Sequence, residues 1–180
     1  MATIKDISDY FLNLATQHKS IGHAESAGNR AYEVIAYDQA FSDFRSGGRE
    51  KQYFVRFILP TVSFRDRGNG AEKWYQVGLM FGKYYSQKEA SKTAQLEAFR
   101  DAEKVADDFI SRMIFDSRRN APSGLFSSTI DRVERIGLNG DYLDYQGDGS
   151  YAAVMYMFDL GTFKCIGDSS DVNNLNWLDL

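Results

Sequence analysis

The sequence predicts an α+β fold, a mostly antiparallel sheet with an N-terminal helix and one long amphipathic helix packed on it. Three observations carry this. A charged segment from Ser86 holds Phe99, Ala102, Ala106, Phe109, Ile110 and Met113 at helical spacing, one apolar stripe on an otherwise charged rod. Strand-like runs flank it, Tyr53 to Phe64 and Trp74 to Tyr85 before, Thr129 to Ile136 and Tyr151 to Leu160 after. The chain is also aromatic-rich, with 13 Phe and 11 Tyr, which suits sheets and interfaces. At 180 residues it can bury the core of one domain. We place that domain at 1–165 and a C-terminal arm at 166–180.

Element by element, Thr3 caps a first helix in which Ile4, Ile7, Phe11 and Leu14 recur three to four apart, with Tyr10 and Ala15 widening the stripe. This helix fades near His18 to Gly22, and the small polar residues Glu25 to Asn29 form a loop. Tyr32 to Tyr37 reads as a short strand. Asp38 then stands where a cap would, before one or two helical turns through Phe41 and Phe44 that end at Ser46-Gly47-Gly48. In Lys51 to Phe64, Tyr53, Val55, Phe57 and Leu59 alternate on one face, with Phe54 and Ile58 on the other, so both faces are expected to be covered. Pro60 interrupts the run, which points to an edge or a bulge. Arg65 to Lys73 is a polar, Gly-containing loop, and Tyr75, Val77, Leu79 and Phe81 return, giving a hairpin with a long tip.

The main helix opens with the capping box Ser86-Gln87-Lys88-Glu89 and runs to about Ile114. A loop from Arg118 to Gly124 comes next. The last two strands are joined by Leu138 to Ser150, with turn signals at Asn139-Gly140 and Gly147-Asp148-Gly149. Apolar residues on both faces of Ala152 to Phe158 make that strand central. Beyond Gly161 the chain is polar and acidic, yet carries Leu175, Trp177, Leu178 and Leu180.

Composition narrows function by exclusion. A formal net charge of -4 and a pI near 5.2 argue against a general binder of phosphate backbones. The single cysteine, Cys165, rules out a disulfide within the chain. Met1 to Asp6 lacks the apolar segment of a signal peptide, and no apolar run approaches the roughly 20 residues of a membrane span. A soluble intracellular product is expected.

Candidate chemistry is thin. His18 and His23 have no acid or thiol placed in sequence to complete a zinc site, and read as polar residues at a helix end. Asp144, Gln146, Asp148 and Gly149 match positions of a calcium loop, with Asp141 nearby. The twelfth position is Met155 rather than Glu, so a solvated turn is the better reading. Cys165 has no nearby histidine and is read as inert. Phosphate loops, dinucleotide fingerprints and nucleophile elbows are absent. Glu89, Glu97, Asp101, Glu103, Asp107 and Asp108 alternate with Lys88, Lys92, Arg100 and Lys104, the pattern of a solvated helix face with i,i+4 pairs. Lys51 to Phe57 resembles the aromatic half of an RNA-binding strand, but lacks the glycine after the basic residue, so core aromatics are expected. No catalytic residue, metal or cofactor is assigned.

Ile4 to Phe11 at the start, Asp101 to Ile110 on the long helix, and Ile136-Gly137 before an Asp/Tyr/Gly-rich turn and the strand Tyr151 to Leu160 give the chain a particular layout. In that layout it resembles small virion or prophage proteins of tailed phages, particularly from Bacteroidetes hosts, and is similar to tail terminator and neck (head-tail joining) proteins. The resemblance implies a structural, non-enzymatic virion protein, made in the host cytoplasm. It would form a homo-oligomeric ring at the neck or head-proximal tail end, touching neighbouring tail or neck proteins, with DNA only passing through the lumen. A ring needs a heterologous, closing interface, often built from hairpins and arms. The contact residues expected here are Arg65, Arg67, Asn69 and Lys73 at the hairpin tip, and Leu175, Trp177, Leu178 and Leu180 on the arm. Two rivals stand beside this reading. A nucleic-acid-binding module would need Tyr53, Phe54 and Phe57 exposed beside a basic patch; a small enzyme would need a pocket with converging polar groups.

Overall fold

The structure, a computed structural model, describes residues 3–24, 31–39, 53–66, 71–85, 92–119, 130–145 and 151–166. Helix α1 (Ile4–Gln17) starts at Thr3, whose side chain accepts the N–H of Asp6 while Asp6 accepts the N–H of Thr3. This reciprocal box satisfies donors that the first turn leaves open. The helix ends at His18, and Gly22 takes a positive φ that favours glycine. Of the expected stripe, Ile7, Phe11, Leu14 and Ala15 are buried, whereas Ile4 is exposed at the helix mouth.

Strands β1 (Tyr32–Ile35), β2 (Tyr53–Asp66), β3 (Ala71–Tyr84), β4 (Ile130–Tyr145) and β5 (Tyr151–Ile166) form one sheet in the order β1-β2-β3-β5-β4. Every pairing is antiparallel except β1 on β2. β5 is therefore an interior strand, flanked by β3 and β4, as its two apolar faces require. The expected helical turn after β1 is a short 3-10 turn at Tyr37–Gln39; Phe41, Phe44 and Ser46 to Gly48 lie outside the described residues, as do Glu25 to Asn29.

Helix α2 (Lys92–Arg119) crosses one sheet face together with α1. Its residues Ala102, Val105, Ala106, Phe109 and Met113 share a core with Val55, Phe57, Tyr75, Val77, Leu79 and Phe81. Phe109 meets Phe81 edge-on at 5.1 Å, and Phe11 of α1 lies 6.0 Å from both Phe57 and Phe158. Phe99, expected in this core, instead meets Tyr142 of β4 edge-on at 5.6 Å. The helix continues past Ile114 to Arg119, so the start of the expected loop is helical. The expected cap at Ser86 to Glu89 lies outside the described residues.

The second sheet face has its own core of Ile35, Phe54, Ile58, Met80, Tyr151, Ala153 and Met155. Glycines let large side chains lie flat there. A Cβ on Gly82 would stand 2.1 Å from the Phe54 ring, and one on Gly161 would stand 2.9 Å from Trp74. Arg56 is buried on this face, beside the rings of Phe54 and Tyr151 and 3.4 Å from Glu33.

One expected turn is strand, and one is shortened. Asn139-Gly140 lies within β4, opposite Met157 and Tyr156. The register shifts between Glu134 and Asn139, so the extra residues are absorbed as an irregularity and pairing along β5 overrides the local turn signal. The long hairpin tip also contracts. Arg65 pairs with Glu72 and Asp66 with Ala71, leaving only 67–70 between the strands. β5 continues past Leu160 and carries Cys165 opposite Glu72.

Candidate interaction surface

β2 changes character in mid-course. Its first half is covered on its outer edge by β1, which pairs Tyr32 through Ile35 with Val55 through Ile58. There β1 stops. The β2–β3 register shifts between Ile58 and Thr61, at Pro60. Proline cannot donate to a ladder, and the bulge re-aims the residues beyond it, as the sequence implies. From Thr61 to Asp66 no described strand pairs with the outer edge of β2. Leu59, Val62 and Phe64 are 46%, 41% and 59% exposed. Val62 pairs with Tyr75 and Phe64 with Lys73, so both stand on the sheet's helix-bearing side.

The distal half of the β2–β3 hairpin, β2 from Leu59 with the β3 residues opposite it, is the hairpin arm, and its opposite side is braced. Trp74 is buried, lies against Gly161 and donates its Nε1–H to Glu72 at 2.9 Å. Arg65 stacks its guanidinium 3.9 Å from the Trp74 ring and reaches Asp159 of β5 at 2.8 Å. Planar stacking plus a charge-assisted hydrogen bond suits arginine. Arg65 is therefore a brace of the arm. Lys73 holds its ammonium 4.7 Å from the Tyr75 ring. Of the expected contact residues, these two are described and share the arm, while Arg67, Asn69, Leu175, Trp177, Leu178 and Leu180 lie outside the described residues. The exposed apolar set Leu59, Val62 and Phe64 was not among them. Pro60 was the available signal, since a break there ends the alternation that had put Leu59 with Phe57.

The other candidate chemistry disperses into packing. His18 caps α1 and meets Asp108 of α2 at 3.1 Å. His23 is buried, and its Nδ1 accepts the N–H of Tyr32 at 3.0 Å, tying the segment after α1 to β1. Asp141 and Asp144 are strand residues of β4, while Asp148 and Gly149 lie outside the described residues. Among the described residues, no group of three or more His, Cys, Asp or Glu side chains could hold a metal. Phe54 and Phe57 are core residues, so these two rings are not available for base stacking, and Tyr53 is half-buried with the Lys83 ammonium 5.4 Å away.

Several acids of α2 serve other elements rather than a solvated face. Lys83 of β3 donates to Asp101 at 2.6 Å, and that hydrogen bond first, then the lysine's charge against burial, holds the Asp101 carboxyl below its usual range. Glu103 accepts the Tyr142 hydroxyl at 2.9 Å. Asp116 accepts from Tyr10 of α1 at 2.9 Å and from Arg112 at 2.9 Å. Burial, then the bond to Asp116, pushes the Tyr10 hydroxyl well above its ordinary range, so it stays a donor. No helix among the described residues is long and apolar enough to cross a membrane. No family model matches the chain, and no curated protein matches it.

Proposed function

We propose that this chain is a structural, non-enzymatic virion protein of a tailed phage, assembling with copies of itself into a ring at the neck or the head-proximal end of the tail. One observation carries the assembly part: the braced distal half of the β2–β3 hairpin presents Leu59, Val62 and Phe64 to solvent on a length of sheet edge that no described strand pairs with. Exposed apolar side chains on an open edge favour association with another chain. The phage setting rests on the similarity of layout to tail terminator and neck proteins. The acidic balance of the chain suits a ring that lets DNA pass without gripping it. Neighbouring tail or neck proteins would dock on the faces of such a ring.

Light scattering on the purified chain, with and without DNA, tests this reading. The expected result is a multiple of the 20.4 kDa chain mass, unchanged by DNA. A monomer, or a monomer whose mass rises only with DNA, would overturn it. Portal and tail genes beside the coding sequence are also expected; a set of metabolic neighbours would contradict the phage assignment.

A further inference from the structure

We infer that the exposed patch on the arm receives residues 169–180 of an adjacent copy, added to the sheet edge beyond β1; this deepens the assembly reading and rests on it. The argument begins with where the segment leaves the sheet. β5 runs toward the tip of the arm, with Cys165 opposite Glu72 and Ile166 opposite Ala71. The strand therefore ends at Ile166, beside the tip. The patch lies on the outer edge of β2, separated from β5 by β3. In the single chain Val62 and Phe64 are 41% and 59% exposed.

The two surfaces match in pattern. Val62 and Phe64 stand two apart on one side of a strand. Leu175 and Trp177 also stand two apart, so in an extended conformation both fall on one side of an added strand. Such a strand would set Leu175 and Trp177 beside Val62 and Phe64, with Asn174, Asn176 and Leu178 on the other side next to Thr61, Ser63 and Arg65, where the Arg65 side chain offers its aliphatic stem to Leu178. Charge agrees as well. Residues 167–180 carry Asp168, Asp171 and Asp179 and no Lys or Arg, while the hairpin from Arg65 to Lys73 has Arg65, Arg67 and Lys73 against Asp66 and Glu72. Arg65 is already paired with Asp159, so the cations an acidic segment would meet are Arg67 and Lys73.

The proposed ring, rather than the reach of the segment, favours a neighbour as the donor. The segment and the patch are different surfaces of one protomer, so passing the segment of each copy to the patch of the next gives a head-to-tail contact. Such contacts close into rings when the rotation allows. Length is no obstacle. The eight residues 167–174 span up to about 26 Å when extended, several times the spacing of about 4.8 Å between neighbouring strands. Pro60 and the bulge bar pairing at the start of the open edge, which limits the added strand to Thr61 through Asp66.

Photo-cross-linking tests this directly. A photoreactive phenylalanine analogue replaces Phe64 in the full chain, and a second variant carries it at Val62. Each is mixed with an isotopically heavy preparation, allowed to exchange subunits, irradiated and mapped by mass spectrometry, with mass in solution measured on the same samples. The expected result is an oligomer whose cross-links join position 64 or 62 to residues 169–180 across light and heavy chains, and which disappear when 169–180 is deleted. Cross-links to 169–180 only within one chain would overturn the inference. So would cross-links between chains that land elsewhere, such as on β4, although assembly itself would then stand. A monomer at every concentration would remove the assembly reading and this inference with it.

Discussion

The two halves of β2 show how one strand can serve the core and then leave it. From Tyr53 to Ile58, both faces are packed: Val55 and Phe57 lie under the helices, while Phe54 and Ile58 belong to the opposite core. From Leu59 to Asp66, the same backbone pairing with β3 continues, but the side chains on the helix-bearing side face solvent. The residue types hardly change, since Val62 and Phe64 are as apolar as Val55 and Phe57. The difference is cover. β1 ends at Ile35, and the bulge at Pro60 re-aims the strand. Hydrophobic pattern alone therefore specifies a strand with a face to bury, not whether its own chain does the burying.

Substitutions in the two halves should separate by free energy. Phe57→Ala removes a fully buried ring that lies 6.0 Å from Phe11, and should cost about 3–5 kcal/mol in chemical denaturation. Phe109→Ala, on the helix facing the same core, belongs in the same range. Values near zero at either site would break the comparison. Gly82→Ala should cost about 1–3 kcal/mol, because the new methyl group meets the Phe54 ring, itself buried and unable to swing away. Tyr10→Phe deletes one bond between α1 and α2 while Arg112 still holds Asp116, and should cost about 0.5–1.5 kcal/mol.

A smaller effect is set by pH. The Asp101 carboxyl is held low by Lys83, so the pair's stabilisation is complete above the unfolded carboxylate pKa of about 4 and is lost as pH falls through the lower folded value. Lys83→Met should therefore flatten part of the acid limb in melting temperature against pH. An unchanged acid limb would show that the pair contributes nothing. Smallest of all is Phe64→Ala, expected within about 0.5 kcal/mol of the parent when both are compared at concentrations where they are monomers, because its side chain is exposed in the single chain.

The periodicity of α2 was legible because an amphipathic stripe needs a single partner surface, and the alternating residues of β3 supply one. Thr3 and Pro60 were legible because capping and a missing N–H act locally. Asn139-Gly140 misled for the converse reason: a strong local turn pair sits in a strand held by its neighbour β5. The α2 acids looked solvated since helical spacing cannot reveal Lys83, Tyr142 or Tyr10 arriving from other elements. At the proposed interaction surface, the sequence points to the hairpin and to its charged tip. Arg65 turned out to brace Trp74, and the uncovered apolar side chains lie further back, where exposure depends on how long β1 is.

The most direct test of the assembly claim pairs mass in solution with thermal melting for the parent chain and Phe64→Asp. A charge at this exposed position should leave the folded subunit nearly intact, yet prevent burial of the patch against another chain. The account predicts an oligomeric parent and a variant that falls to the 20.4 kDa chain mass, with a melting temperature close to that of parent chains diluted to monomer. A variant that assembles like the parent, or one that unfolds as a monomer, would contradict the assignment of this arm as the assembly surface.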